Sequence, residues 1–297
     1  MQERHKNRAI YFKELSITSK NYFIPYIQHW HSVETGTDVL EIGCGDGGNL
    51  LPFSEMGCRV VGVDIAACRI KDARIFFADA HARGTFYAQD IFQLKELERS
   101  FDIIICHDVF EHIDNKKLFL SNLNKYLKPQ GIVFMSFPAW QMPFGGHQQI
   151  CQNPILSRLP FVHLLPMTVY RGVLKAFGEN GDCIKELLSI KRTRVSIESF
   201  ESMLKTTVLR ITNRQLWLIN PHYQVKFGLS PRKLNKVIAY IPILRNFFST
   251  SCFYILKKRD ISFAPYTTIL LVSPKPRLCP YSLFPTGKTD TQEEFSM

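Results

Sequence analysis

The run Val39-Leu40-Glu41-Ile42-Gly43-Cys44-Gly45-Asp46-Gly47-Gly48 constrains the fold more than any other segment of this chain. Its aliphatic, β-branched half suits a buried parallel strand, and that strand closes on a carboxylate. The glycines that follow permit positive φ and let a ligand lie directly against the backbone, where any Cβ would stand in the way. Residues 49–56 read as a helix whose first free N–H groups point back at the turn. Strand, glycine turn and helix together make a nucleotide-binding turn. Gly43, Gly45 and Gly48 also satisfy G-x-G-x-x-G, a pattern too common to name the nucleotide by itself.

The elements that follow narrow the choice. Arg59–Asp64 is a second buried strand ending in an acid, placed to bond ribose hydroxyls. A third strand, Thr85–Gln89, ends at Asp90, and a fourth, Asp102–Cys106, is introduced by Phe101. Strand and helix alternate from Asp38 to Phe137, which implies parallel strands joined by right-handed crossovers. Helices are expected over Ala66–Ala80 and Asp114–Leu127. The second is capped by Asp114 and stopped by Lys128-Pro129-Gln130-Gly131, before a fifth strand over Ile132–Phe137. Upstream, Ala9–His31 reads as a helix with an aromatic stripe, kinked or split at Pro25.

Acids at the ends of the first three strands, with Phe-Asp opening the fourth, resemble the class I S-adenosylmethionine-dependent methyltransferases. The resemblance runs from Tyr11 to Phe137, with a weaker continuation to Lys258. It implies an α/β, doubly wound, mostly parallel seven-stranded sheet, Rossmann-like, with a lid inserted after strand five. Strands six (Val208–Ile219) and seven (Ser251–Lys257) would then form an antiparallel hairpin. It also implies S-adenosylmethionine as cofactor, covered by the N-terminal helix. On the family pattern Glu41 orients the turn formed by Gly43, Cys44, Gly45 and Gly47. Asp64, with Ile65, holds the ribose, Asp90 with Ile91 borders the adenine, and His107 closes the cofactor site at the end of strand four.

The segment His107-Asp108-Val109-Phe110-Glu111-His112-Ile113 resembles the Glu-x-x-Glu-His signature of two methyltransferase groups. One acts on catechol-like quinone precursors, the other on RNA 3′-end 2′-hydroxyls. In those groups both acids and the histidine, with a later histidine, bind a divalent ion that polarises the acceptor hydroxyl. Here Asp108 replaces the first Glu and shortens its reach, and His147 of Gly145-Gly146-His147 is the candidate fourth ligand. Two carboxylates and two imidazoles suit Mg, Mn or Zn. Without a metal, His107, His112 and His147 are the candidate acid–base groups. The plainer alternative has Glu111 buttressing the next helix and the histidines bonding backbone groups.

Composition adds limits. Among 297 residues, 45% are hydrophobic and 21% charged, as in ordinary globular proteins. The polar start Met1–Lys6 lacks a signal-peptide core, and no apolar stretch reaches bilayer length, so no transmembrane segment is expected. The eight cysteines include no C-x-x-C pair. They read as small apolar residues in a reducing cytoplasm, with no zinc site expected among them. The charge is unevenly divided. Residues 1–137 hold 16 Lys+Arg against 17 Asp+Glu, whereas 138–297 hold 21 against 9. A basic second half fits an anionic partner, either a phosphate-bearing acceptor, a nucleic acid or a membrane surface touched peripherally.

The chain is thus expected to divide into a cofactor-binding core (1–137), an inserted lid or substrate wall (138–194), a C-terminal part of the core (195–258) carrying an insertion (220–248), and an extended tail (259–297). The lid mixes Phe161, Leu164, Leu165 and Val169 with Arg158, Arg171 and Lys175, which suits a small anionic or lipid-like acceptor better than a long polynucleotide. The leading expectation is O-methylation of such a small molecule. RNA 2′-O-methylation and a non-catalytic cofactor-binding module are the alternatives.

Overall fold

A computed structural model of the chain describes residues 7–259. The expected extended tail beyond Arg259, with an extra strand over Tyr266–Val272, lies outside the described residues. Eight strands form one sheet: β1 (Asp38–Ile42), β2 (Arg59–Asp64), β3 (Thr85–Ala88), β4 (Phe101–His107), β5 (Leu127–Phe137), β6 (Leu209–Ile219), β7 (Arg232–Lys233) and β8 (Ser251–Lys258). Their order is β3-β2-β1-β4-β5-β8-β6-β7. The first five are parallel, and β8 runs antiparallel between β5 and β6. The eighth strand, beyond the seven expected, is two residues from the 220–248 insertion that pair with Trp217 and Ile219.

Strand order reverses between β1 and β4, and there the register sets Glu41 level with Gly62 of β2 and Ile105 of β4. The carboxyl ends of these strands therefore open a crevice at one edge of the sheet, the position where such folds take ligands. The opposite edge is tied by charge. Lys128 Nζ donates to Asp38 (2.6 Å) and Asp102 (2.7 Å), and Arg59 pairs with Asp38 (2.6 Å). The Phe-Asp opening of β4 thus serves the sheet's far end, away from the crevice.

The N-terminal helical stretch is α1 (Arg8–Thr18), a π-type turn (Ser19–Phe23) and α2 (Ile24–Gln28). Pro25, which has no N–H to donate, sits just after the π turn within one continuous run of helical backbone, so the expected irregularity is that widened turn. A 3₁₀ turn (Gly48–Leu50) leads into α3 (Leu51–Glu55), and α4 (Ala67–Asp79) follows β2. Helix α5 (Lys116–Tyr126) is capped by Asn115, whose side chain accepts from Leu118 N at 3.1 Å, and not by Asp114. No turn separates α5 from β5. Leu127 already pairs with Phe101, and the ladder resumes at Ile132 beyond Pro129, which has no N–H to contribute. The later helices are α6 (Met167–Ala176), α7 (Gly181–Thr193), α8 (Ile197–Leu204), α9 (His222–Phe227), α10 (Lys236–Tyr240) and α11 (Leu244–Phe248).

Strand periodicity divides the core between the two faces of the sheet. Leu40, Ile104, Cys106 and Val133 pack with α5 and α8 through Phe119, Leu123 and Phe200. Val39, Ile103, Ile105 and Phe134 pack on the other face with Phe12, Phe23, Ile27 and Phe77. The inserted segment has a small core of its own, built from Cys151, Leu156, Tyr170, Leu174 and Leu187. Among the described residues no helix is long and apolar enough to cross a membrane.

Candidate functional site

The glycine turn has the backbone its sequence demands. Gly43, Gly45 and Gly47 have φ of 73°, 52° and 83°, and the N–H groups of Gly43 and Cys44 both donate to Val63 O. A Cβ on Gly43 would stand 2.2 Å from Val109 Cγ2, and one on Gly48 would stand 2.5 Å from the Phe12 carbonyl. Helix α1 therefore packs directly on the turn, and Ser19 Oγ donates to Asn49 O at 2.7 Å.

Glu41 is 1% exposed. One carboxylate oxygen accepts from Asn49 Nδ2 at 2.7 Å, and the other has no hydrogen-bond partner. Burial pushes its pKa up to about 8, which the Asn49 bond only partly opposes and nearby Asp64 reinforces. A carboxyl protonated in the fold and ionised when unfolded makes the fold lose stability as pH rises from the ordinary carboxylate range through about 8. The ligand-free Glu41→Gln protein, which keeps an acceptor for Asn49, is therefore expected to be more stable than wild type at pH 9 by about 1–3 kcal/mol and equal to it at pH 5. Chemical denaturation at the two pH values checks this, and a difference independent of pH would refute it.

Asp64, at the end of β2, accepts from Gly45 N (2.9 Å) and Ala66 N (2.8 Å), so it holds the glycine turn and the entry to α4 together. Ile65 beside it is 81% exposed, an apolar side chain at the crevice rim without a protein surface to cover it. Asp90 is exposed and caps a short turn by accepting from Phe92 N at 3.0 Å. The side chain of Ile91 is committed to the core at 4% exposure, while its carbonyl accepts from Tyr126.

Beyond β4 the chain turns sharply. Asp108 has φ of 52° and His147 φ of 57°, conformations that residues with a Cβ seldom adopt outside sites that require them. Glu111 is 4% exposed, and neither carboxylate oxygen has a hydrogen-bond partner. His112 Nε2 and His147 Nε2 each lie 3.9 Å from Glu111 Oε1, and the two rings meet edge to face at 5.2 Å. The three ligand atoms fall within 4.8 Å of one another. Burial, reinforced by Asp108, pushes the Glu111 carboxyl well above its usual range. Burial also lowers both histidines, His147 to about 3 with help from His112, so the imidazoles are neutral donors.

Asp108 does not join this trio. Its carboxylate sits 3.4 Å from His107 Nδ1, and the same nitrogen lies 3.3 Å from Ser136 Oγ. The expected set of two carboxylates and two histidines therefore reduces to one carboxylate and two. The cause is the single methylene Asp108 lacks, together with the left-handed turn that directs it to His107. His107 itself is buried against Phe23, the last residue of the π turn, at 4.8 Å between rings.

Several site residues escape the sequence pattern. Asp46, 1% exposed, has no hydrogen bond to either oxygen and lies 3.6 Å from Arg69 and 3.8 Å from Arg8, which also bonds Asp72. Tyr11 of α1 and Tyr223 of α9 both lie near enough to Asp108 for its charge to raise their phenols further, beyond the effect of burial. The 220–248 insertion thus returns through α9 to the crevice beside α1. The Gly45-Asp46 step and an Arg one turn before Phe12 were signals for the first group. No sequence spacing pointed to Tyr223.

Residues 22–164 match a family model described as a methyltransferase domain. A ubiquinone biosynthesis O-methyltransferase of Rickettsia typhi is 30% identical over 115 residues, 39% of this chain and 46% of the relative. One from Bartonella tribocorum is 33% identical over 117 residues, 38% and 47% of the two chains. The matched stretch spans about half the length of these curated relatives. Among solved structures, a protein provisionally named a sarcosine dimethylglycine methyltransferase, from Galdieria sulphuraria, aligns with a TM-score of 0.54 at 14% identity, covering 82% of this chain and 86% of its own. PKMT2 of Rickettsia typhi, solved with AdoHcy, aligns at 0.50 with 20% identity, over 82% and 54%. At such identities the structural likeness speaks to the fold. Residues 22–164 thus match a methyltransferase-domain model, and the described chain has the α/β Rossmann-like methyltransferase fold.

Proposed function

We propose that this chain transfers the methyl group of S-adenosylmethionine to a hydroxyl oxygen of a small acceptor. The carrying observation is the trio Glu111, His112 and His147, set beyond β4 and β5 at the carboxyl edge where the glycine turn also opens. Bound S-adenosylmethionine would supply a sulfonium methyl with its leaving group already attached. The turn fits such a ligand: only the flexible Arg69 side chain stands beside Gly45, Ile65 offers uncovered apolar surface, and Glu41 keeps one oxygen without a partner. Asp64 retains lone pairs for ribose hydroxyls beside the two N–H groups it already binds.

The chain's own part is alignment and the handling of one proton. A buried carboxylate without hydrogen bonds and two neutral imidazoles fit a divalent cation, which Glu111, His112 and His147 would hold and which would polarise the acceptor hydroxyl. His107, oriented by Asp108 and Ser136, ends β4 four residues before Glu111. Support for a lipid-like or anionic acceptor comes from two features. An apolar groove of about 510 Å³ is lined by Pro143, Phe161, Leu218, Leu244, Phe247 and Phe248, and Pro143 lies on the same loop as His147. Residues 202–259 contain 11 Lys+Arg and no Asp or Glu.

The test is methyl transfer from labelled cofactor into fractionated lipid, small-molecule and RNA pools. Label in a hydrophobic or anionic small molecule supports the reading, and label confined to RNA 3′ ends refutes it. Asp64→Ala is expected to weaken cofactor binding by about 1.5–3 kcal/mol, since it removes a charge-assisted bond and loosens Gly45. Calorimetry checks this, and unchanged affinity would remove Asp64 from the site. Residues 138–194, which carry their own small core, are expected to act as a cover. Their amides should exchange more slowly with cofactor plus acceptor than with cofactor alone. Exchange already as slow as in β1 and β4 without ligand would show a fixed wall instead.

A further inference from the structure

The inserted segment holds a second convergence of donor atoms, apart from the crevice. Cys151 follows the short turn after His147, Glu179 lies between α6 and α7, and Cys183 is in the first turn of α7. Their ligand atoms lie within 4.8 Å of one another. Cys151 and Glu179 are buried, Cys183 is partly so, and both thiols are free. Thirty-two residues separate the two cysteines, so no paired motif marks this meeting along the chain.

Two observations point to a ligand. The Tyr170 hydroxyl, on a residue with no solvent exposure, has no hydrogen-bond partner and borders this cluster closely enough to feel all three groups. The Glu179 carboxylate is held in place, accepting from Gln152 N (3.0 Å) and Asn153 N (2.9 Å), with lone pairs left over. We infer that Cys151, Glu179 and Cys183 bind a zinc-class divalent cation, leaving a fourth position for the Tyr170 oxygen, directly or through a water. Two thiolates and a carboxylate are soft-to-borderline donors suited to Zn over Mg or Ca. On binding, the two S–H bonds are lost, two metal–sulfur bonds form, and two protons leave to solvent. Burial and the adjacent Glu179 carboxylate raise both thiols, to about 12 for Cys151 and about 11 for Cys183, so binding must displace both protons. The bound cation would pin the loop after His147 to the α6–α7 hairpin, within the small core that Cys151 and Tyr170 help to build.

The probe is cobalt(II) added to reduced, chelator-treated full-length protein in a His112→Ala/His147→Ala background, which removes the other cation cluster. One equivalent should give tetrahedral visible bands and a near-ultraviolet thiolate-to-cobalt band, both erased by one equivalent of zinc. Cys151→Ser and Cys183→Ser should each weaken binding at least about 100-fold, and Glu179→Gln about 10-fold. Because these variants can lose fold, a second measurement uses wild type. Zinc should protect Cys151 and Cys183 from alkylation, mapped by mass spectrometry, while exposed Cys68 reacts unchanged. Cobalt bound without a thiolate band, equal alkylation with and without zinc, or ready closure of a Cys151–Cys183 disulfide in the presence of saturating zinc would each overturn the assignment.

Discussion

Glu111→Gln protein is expected to bind S-adenosylmethionine within about twofold of wild type and to transfer methyl groups at least about 100-fold more slowly. The reason lies in where Glu111 sits. Both its oxygens are buried without a hydrogen-bond partner, and Oε1 lies 3.9 Å from the Nε2 atoms of two imidazoles. A neutral amide of the same shape leaves the packing intact but removes the one charge able to balance a cation between His112 and His147. Burial holds the Glu111 carboxyl toward its neutral form against the nearby Lys116 charge, and a bound cation would draw it to the carboxylate. Chelation should reproduce the defect in wild type, and added Mn or Mg should reverse it. The same chelator should leave the slow Glu111→Gln protein unchanged. If Glu111→Gln turns over normally, or if wild type ignores chelators, the trio is not the acceptor-activating site. The low pKa of His147, about 3, leaves that ring a poor general base, so metal-free activity would shift attention to His107.

What the sequence disclosed follows from how local its causes are. Strand β2, Arg59–Asp64, is set by the valines at 60, 61 and 63, and the parallel core by hydrophobic patterning with turns between, so these elements were legible. The glycine turn was legible because positive φ leaves few residue choices. Three things were not. The cap of α5 passed from Asp114 to Asn115 because two adjacent residues can each accept the same N–H groups, and only the backbone decides. The ligand set lost Asp108 because an αL turn redirects a short side chain, a matter of one dihedral. The walls of the crevice were hidden most deeply. Tyr223 and the 220–248 insertion reach the site through tertiary packing of α9 on α1, which no spacing along the chain encodes. Short-range chemistry was readable, and long-range convergence was readable only where the family resemblance supplied it, as for His147 beside Glu111 and His112.

Gly45→Val is expected to abolish cofactor binding, weakening it at least about 100-fold, while the protein stays folded with a loss of about 1–3 kcal/mol from the left-handed backbone it forces on a β-branched residue. The neighbouring glycines make this position the informative one. A Cβ on Gly43 collides with Val109, and one on Gly48 collides with the backbone of Phe12, so changes there disturb the packing of the fold as well as any ligand. At Gly45 the added Cβ meets only the end of the flexible Arg69 side chain, at 3.3 Å, and otherwise points into the open crevice. The space that valine would fill is therefore space the protein itself leaves empty. Gly48→Ala serves as the contrast, with lowered thermal stability accompanying whatever affinity it loses. Calorimetric titration of both variants with S-adenosylmethionine, and of wild type with NAD and NADP, reads the result directly. Full-strength binding by Gly45→Val, or preference of wild type for a nicotinamide dinucleotide, would mean that this turn faces something other than the sulfonium cofactor.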